Sequence, residues 1–371
     1  MKIEEIALAD LESFAERARC CAMVPVSARR ARSQMRNPHA RPGDVAMLAA
    51  WEGERMIGYL GLLPAVLRNG EERARVSWIS TIFVDPERTG RGIGSTLVKH
   101  AAAIPLDLFT TLYLPVLRRP QMAAGLRPAG DLAHAVLDLR RASPWNAAAA
   151  RAAHLAPFLA PRAAGLERVT APPVRARIYR VLRGALRGAE RRWEPASEPP
   201  ARAGRPRAEV EFERGTEGLR WIVENPWIAE QGTGPGEPEP RYHFSAVREV
   251  FRYLPLRLAD GRGGEGWLLL CLSRSQGITQ LRVLDHAVDD AAAGAAAVLE
   301  WGERHGADHL VLPEAFAAVL GRVPAARPLL ARRRRPYMAR VRPAARPRRR
   351  SRASAGTSAT AMRRSSDPEA N

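Results

Sequence analysis

Ile79-Ser-Thr-Ile-Phe-Val84-Asp85-Pro-Glu-Arg-Thr-Gly90-Arg-Gly92-Ile-Gly94-Ser-Thr-Leu-Val-Lys-His-Ala-Ala-Ala103 is the stretch whose reading decides the fold. An apolar, β-branched run ends at Val84, Asp85-Pro86 breaks it, and a helical pattern begins near Ile93. Between them stand three alternate glycines. Glycine carries no Cβ, so successive backbone N–H groups can converge on one point, where the new helix adds its positive end. Such a turn wants an anionic oxygen. A dinucleotide fingerprint would need glycine at Leu97, and a Walker loop would need Gly-Lys-Ser or Gly-Lys-Thr, which is absent.

The remaining pattern resembles motif A of the GNAT (GCN5-related) N-acetyltransferases, Gln/Arg-x-x-Gly-x-Gly/Ala after the fourth strand. Gly92 and Gly94 match it; the Gln/Arg position falls on Thr89, with Arg88 just before it. The resemblance implies a mixed α/β fold and an acyl-CoA site, acetyl-CoA being the expected donor. It implies that Thr89, Gly90, Arg91, Gly92, Ile93, Gly94, Ser95 and Thr96 hold the CoA pyrophosphate through their amides. Ile82, Phe83 and Val84 would pair with the pantetheine arm, and a backbone N–H near Val84 would take the oxyanion. Such a donor is worth roughly 3 kcal/mol.

Working outward, Lys2 to Leu8 reads as a strand, Ala9 to Arg19 as a helix, and Ser27 to Gly43 as a basic helix and loop. Val45 to Trp51 and Arg55 to Ala65 form a hairpin around Glu52-Gly53-Glu54, and Arg75 to Val84 follows as a strand. Beyond the Ile93 to Ala103 helix come a strand (Leu106 to Leu112), a short helix (Pro115 to Ala124) and a strand (Leu132 to Leu139). That order is the order of the GNAT fold, so residues 1–140 are read as one such domain.

Residues 141–206 are rich in Ala, Pro and Arg. Ile178, Val181, Leu182, Ala185 and Leu186 share a helical face there, which suits either a helix packed on a domain or one lying on an anionic membrane surface. Glu194 to Arg207 reads as a linker. Residues 207–342 repeat the element order: strands at Gly266 to Ser273 and Ile278 to His286, a helix at Asp289 to His305, a strand at His309 to Pro313, a helix at Glu314 to Leu320 and a last strand from Leu329. The Leu219 to Trp227 stretch resembles the opening of the second half of tandem GNAT proteins. Where the first half has glycines this one has Val288-Asp289-Asp290-Ala291, whose acids would repel a pyrophosphate. The expected architecture is therefore two GNAT-like domains in tandem, the second degenerate and without cofactor.

The chain has 371 residues and a formal net charge of +19. Its only lysines are Lys2 and Lys99; arginine carries the rest, as in a GC-rich bacterial genome. More than half of the excess follows Leu330, so the charge reads mostly as a tail, and residues 343–371 are too poor in large apolar side chains to order themselves. Such a tail can meet nucleic acid or anionic lipid, but no aromatic residue after Tyr337 can stack on bases. No apolar run approaches the roughly 20 residues of a spanning helix, and Cys20, Cys21 and Cys271 offer no disulfide framework. The expected location is cytoplasmic.

The chemistry expected from the resemblance is direct attack of an amine on the thioester. Family members often protonate the leaving thiolate with a tyrosine four residues before a glycine; with Gly125 as that glycine the position is Gln121, leaving Tyr113 as the substitute acid. Glu71, Glu72 and Ser80 are the base or water-holding candidates. His305 and His309 straddle a helix end and do not suit shared metal ligation. The expected partners are acyl-CoA and a small-molecule amine, with no metal.

Overall fold

A computed structural model describes residues 1–69, 72–111, 115–144, 146, 160–199, 210–232, 242–244, 247–259 and 266–340. The first half runs β1 (Lys2–Ala7), α1 (Leu11–Arg17), α2 (Ala28–Met35), β2 (Val45–Glu52), β3 (Arg55–Asn69), β4 (Glu72–Val84), α3 (Ile93–Ala103), β5 (Asp107–Thr110), α4 (Pro115–Ala123) and β6 (Arg127–Asp138). Then come α5 (Ala160–Ala185), β7 (Trp193–Pro195), β8 (Val210–Glu213), α6 (Gly215–Glu224), β9 (Ala229–Glu230) and β10 (Val247–Arg248). The second half continues with β11 (Val250–Leu258), β12 (Trp267–Ser275), β13 (Ile278–Ala287), α7 (Ala291–Arg304), β14 (His309–Leu312), α8 (Glu314–Leu320) and β15 (Leu330–Arg340).

Thirteen of these strands form one mixed sheet in the order β1-β2-β3-β4-β5-β15-β6-β14-β13-β12-β11-β7, with β8 on β3. The expected repeat is visible in it. β4 and β5 are parallel across α3, and β13 and β14 are parallel across α7. The terminal strands are exchanged: β15 lies between β5 and β6, and β6 pairs with β14. Met1–Arg340 is accordingly one compact unit.

Helix α3 buries Ile93, Leu97, Val98 and Ala101, one stripe at helical spacing, against Leu48, Leu60, Leu62 and Ile79 of the sheet. On the other side, α1 and α2 pack Leu11, Phe14 and Ala31 on Met47, Met56 and Tyr59. Ser27 caps α2 by accepting from the Arg30 N–H at 3.2 Å.

Several readings need correction. On α5, Val181 is 49% exposed and Ala185 is also outward, while Tyr179, Leu182 and Leu186 turn into the core beside Leu299 and Trp301. Each fully buried side chain of that kind contributes about 1.5–3 kcal/mol, so the apolar face is spent on the protein and the packed-helix reading holds over the membrane one. The stretch read as a linker opens with β7, whose Trp193 is buried and whose residues pair with β11. Arg332 to Arg335 and Arg340, whose charge reads as tail charge in the sequence, lie in β15, the last strand expected from Leu329. Residues 343–371 lie outside the described residues. No helix among the described residues is long and apolar enough to cross a membrane.

Asp308 ties α5 to the second half: its carboxylate pairs with Arg175 and accepts from the Thr279 N–H at 2.9 Å, and its carbonyl accepts from Leu139 N–H at 2.9 Å. Removing one member of a buried pair costs about 3–5 kcal/mol, while exposed pairs are worth about 0–1. In urea unfolding, Asp308→Ala should therefore lose about 3–5 kcal/mol and Arg73→Ala, at the exposed pair with Glu213, under about 1 kcal/mol; equal losses would remove Asp308 from this role.

Candidate functional site

β4 is paired with β3 along its whole length but with β5 only at Val76–Trp78. From Ile79 to Val84 its β5-side edge has no ladder partner among the described residues. A register shift between Gly61 and Leu62 leaves Ser80 as an extra residue in β4, a bulge that re-aims its side chain. The chain then turns through Asp85, whose N–H donates to the Ile57 carbonyl at 3.0 Å and whose carboxylate accepts from the Glu87 N–H at 3.0 Å. Arg55 clamps Asp85 and Glu87 at 2.7 and 2.8 Å.

Gly90 and Gly92 adopt φ of +86° and +76°, a region L side chains avoid, and Gly92 is the N-cap of α3 without any side-chain cap. The first-turn N–H groups beyond it have no intrahelical carbonyl to reach. Arg88 and Arg91 flank the loop, both on Glu52 at 3.0 and 3.7 Å. The result is an open strand edge leading to an uncapped helix N-terminus between two cations.

In the second half, β13 is paired with β14 only at Gln280–Arg282, which leaves a similar edge. There the helix start is closed. Asp290 caps α7 by accepting from the Ala292 N–H at 2.8 Å, and Phe316, third residue of α8, is 1% exposed and so close to Gly294 that a Cβ there would overlap its ring. The residue in that place on α4 is Leu117, half-buried and at ordinary contact distance, 3.9 Å, from a Cβ placed on Gly94.

The sequence from 11 to 120 matches the family model "Acetyltransferase (GNAT) family". The stretch that matches contains the whole of β2 to α3 and the glycine turn between β4 and α3. Among curated proteins no sequence matches. Similar solved structures include a GCN5-related N-acetyltransferase from Anabaena variabilis ATCC 29413, at 13% identity and TM-score 0.44, covering 80% of this chain. The chain spans 62% of the length of that protein. Eis1 from Mycobacterium abscessus (15% identity, TM-score 0.44) is matched over 91% of this chain and 73% of its own. A GCN5-related N-acetyltransferase from Kribbella flavida (15%, TM-score 0.45) is matched over 91% and 71%.

Within the matched region, Ile82 and Val84 face Gly94 and the α3 core. Phe83 points to the opposite side, stacked on Tyr59 at 5.8 Å and on His243 at 3.6 Å. Ile93 is buried, while Thr89, Gly90, Arg91, Gly92 and Thr96 are exposed and Gly94 and Ser95 half-buried. Thr96 Oγ1 donates back to the Gly92 carbonyl at 3.1 Å. Tyr113 and Glu71 lie outside the described residues. Gln121 is 1% exposed, and Gly125, at φ +92°, stands where α4 turns toward β6. Glu72 opens β4, twelve residues and roughly 40 Å of strand from Val84; it is too remote to serve as base. His305 stacks on Trp301 and His309 pairs with Asp138, so the two have separate partners. No cluster of three metal-ligating side chains occurs among the described residues.

Sequence reading missed Arg30, Tyr242 and His243. Arg30 is 7% exposed, donates to Ser80 Oγ at 2.9 Å and to Tyr242 Oη at 3.1 Å, and lies 4.4 Å from the Trp227 ring. Burial pushes the neighbouring Tyr59 phenol above its ordinary range, with Tyr242 acting the same way and Arg30 opposing. The one usable signal was the Trp221–Trp227 stretch: Trp221 Nε1 donates to the Ser33 carbonyl at 2.7 Å, and Ser33 Oγ to the Asn225 carbonyl at 2.6 Å, clamping this stretch onto α2.

The two helix starts predict different costs. Phe316→Ala should destabilise by about 3–5 kcal/mol by opening a cavity, and Leu117→Ala, on the open side, by clearly less; chemical denaturation of both variants checks this, and equal losses would mean that the first wedge is as filled as the second.

Proposed function

We propose that the chain is an acyl-CoA-dependent N-acyltransferase that moves an acetyl group from acetyl-CoA to an amine of a small molecule or amino sugar. The observation that carries this reading is the β4 edge, without a ladder partner among the described residues beyond Trp78, running into the uncapped, glycine-built start of α3. Amides from about Arg91 to Thr96 would hold the pyrophosphate, with Arg88 beside the Thr89 position supplying the cation the family places there. Backbone of Ile82 to Val84 would pair with the pantetheine arm, and an N–H near Val84 would receive the oxyanion.

The amine must first lose a proton, since at pH 7 under about one part in a thousand of a lysine-like amine is neutral. His243 stacks directly on Phe83, the neighbour of Val84, and its ring is exposed on the acceptor face. A neutral imidazole carries one ring nitrogen that accepts a proton. We assign it the proton from the attacking ammonium. The neutral amine then adds to the thioester carbon, the C–S bond breaks as the tetrahedral intermediate collapses, and CoA leaves as the thiolate; Tyr113 is proposed to protonate it and to recover a proton from the nitrogen that becomes the amide. Asp290 and Phe316 leave no equivalent site in the second half, so one donor site is expected per chain. The three free cysteines fit a reducing, cytoplasmic setting.

Acetyl-CoA at a hundredfold excess over its dissociation constant should add about 2.7 kcal/mol and raise the melting temperature by several degrees. Gly92→Glu should lose that rise, and a wild type without any rise would overturn the reading. His243→Ala should keep the rise while acetyl transfer falls by about 10²–10⁴-fold; unchanged turnover would remove His243 as base.

A further inference from the structure

Arg30 holds a buried positive charge with no carboxylate in ion-pair range among the described residues. Its guanidinium has five N–H donors; its hydrogen-bond partners among the described residues, Ser80 and Tyr242, are neutral hydroxyls, and Trp227 covers it at 4.4 Å. Cation–π contact offsets only part of the cost of burying a charge. Beside it opens a pocket of about 130 Å³ lined by Arg30, Trp227, Ile228, Tyr242, Phe251 and Tyr253. Next to the pocket the Tyr59 hydroxyl is fully buried and lacks a hydrogen-bond partner among the described residues. Flat aromatic walls around a guanidinium that meets no carboxylate among the described residues are the complement of a planar oxyanion on an apolar body.

We propose that this pocket is an acceptor subsite for a carboxylate, and that the acceptor amine carries one, joined to it by a flat or apolar spacer. The acceptor role rests on the transferase reading, whereas the anion site stands on Arg30 alone. Tyr242 and His243, adjacent in the chain, lead from the pocket to Phe83. Ser80 and Val84 are four residues apart on β4, about 13 Å. Allowing about 3 Å for a hydrogen bond at each end leaves roughly 7 Å between carboxylate and amine, the span of an aminomethylbenzoate.

The test begins without CoA. Benzoate, titrated into the full-length protein and followed by tryptophan fluorescence, should bind saturably and about tenfold or more tighter than benzyl alcohol. Arg30→Met should abolish that preference, and Tyr242→Phe, which keeps the charge, should retain it. If Arg30→Met does not fold, the benzoate to benzyl alcohol ratio in the wild type and in Tyr242→Phe decides alone. Equal affinities, or no saturable benzoate binding, would overturn the proposal. So would binding that emerges only in Glu237→Gln or Glu239→Gln, since the counter-ion would then be the chain's own. With acetyl-CoA added, 4-(aminomethyl)benzoate should show a KM about tenfold or more below that of benzylamine, at similar kcat. An identical KM for the two amines would sink the acceptor role. Absence of an acetyl-CoA melting shift would instead sink the transferase reading and leave the benzoate result to judge the anion site.

Discussion

The exchange of terminal strands is the constraint on which the rest depends. β15 lies between β5 and β6, and β6 in turn pairs with β14, so neither half can complete its sheet without the other. This forces an arginine-rich segment into an interior strand. Arg332 to Arg335 tolerate that position because their side chains stay exposed while the backbone pairs with Leu132 to Ala135. The strand is anchored further along, where Tyr337 packs on Phe109 at 5.0 Å, Arg335 donates to the Thr111 carbonyl at 2.9 Å and Arg340 donates to the Ala102 carbonyl. Like charges on one strand repel, but at an exposed face that repulsion is screened, and the ladder with β6 outweighs it.

The same architecture, built twice, reaches two electrostatic outcomes. Both halves let a long strand outrun its parallel neighbour and start a helix at the gap. In the first half the helix start is glycine without a side-chain cap, and arginines stand beside it. In the second half a carboxylate fills the cap and a phenyl ring fills the wedge. The first start would attract an anion and the second would repel one, although the backbone paths are alike.

What was legible in the sequence was local. The Ile93–Ala103 and Glu314–Leu320 helices coincide with their apolar spacing and flanking breakers, and the left-handed glycines mark their own turns. What was not legible depends on contacts far apart in the chain. Leu330–Arg340 reads as a last strand, but its arginines count as tail charge because composition does not reveal that β5 and β6 flank it. Val181 belongs to the apolar stripe on a helical wheel, yet the packing of Tyr179 and Leu182 rotates it outward. Arg30 sits in a basic stretch and reads as a solvated charge; its burial is created by Ser80, Trp227 and Tyr242, which no periodicity links to it.

That burial gives the second half a role its closed helix start does not. α6 and the stretch to Trp227 are clamped on α2 through Ser33, Arg36 and Asn225. α2 is the helix that carries Arg30, and the pocket beside it is walled by Trp227, Tyr242, Phe251 and Tyr253 from the second half. His243, on Phe83, comes from the same segment. The first half thus provides the surface suited to the donor, and the second half closes over its opposite face with the side chains that an acceptor would meet. On the proposed transferase reading, those side chains could change without disturbing the glycine loop, because Phe83 on one face of β4 and Ile82 and Val84 on the other share only its backbone.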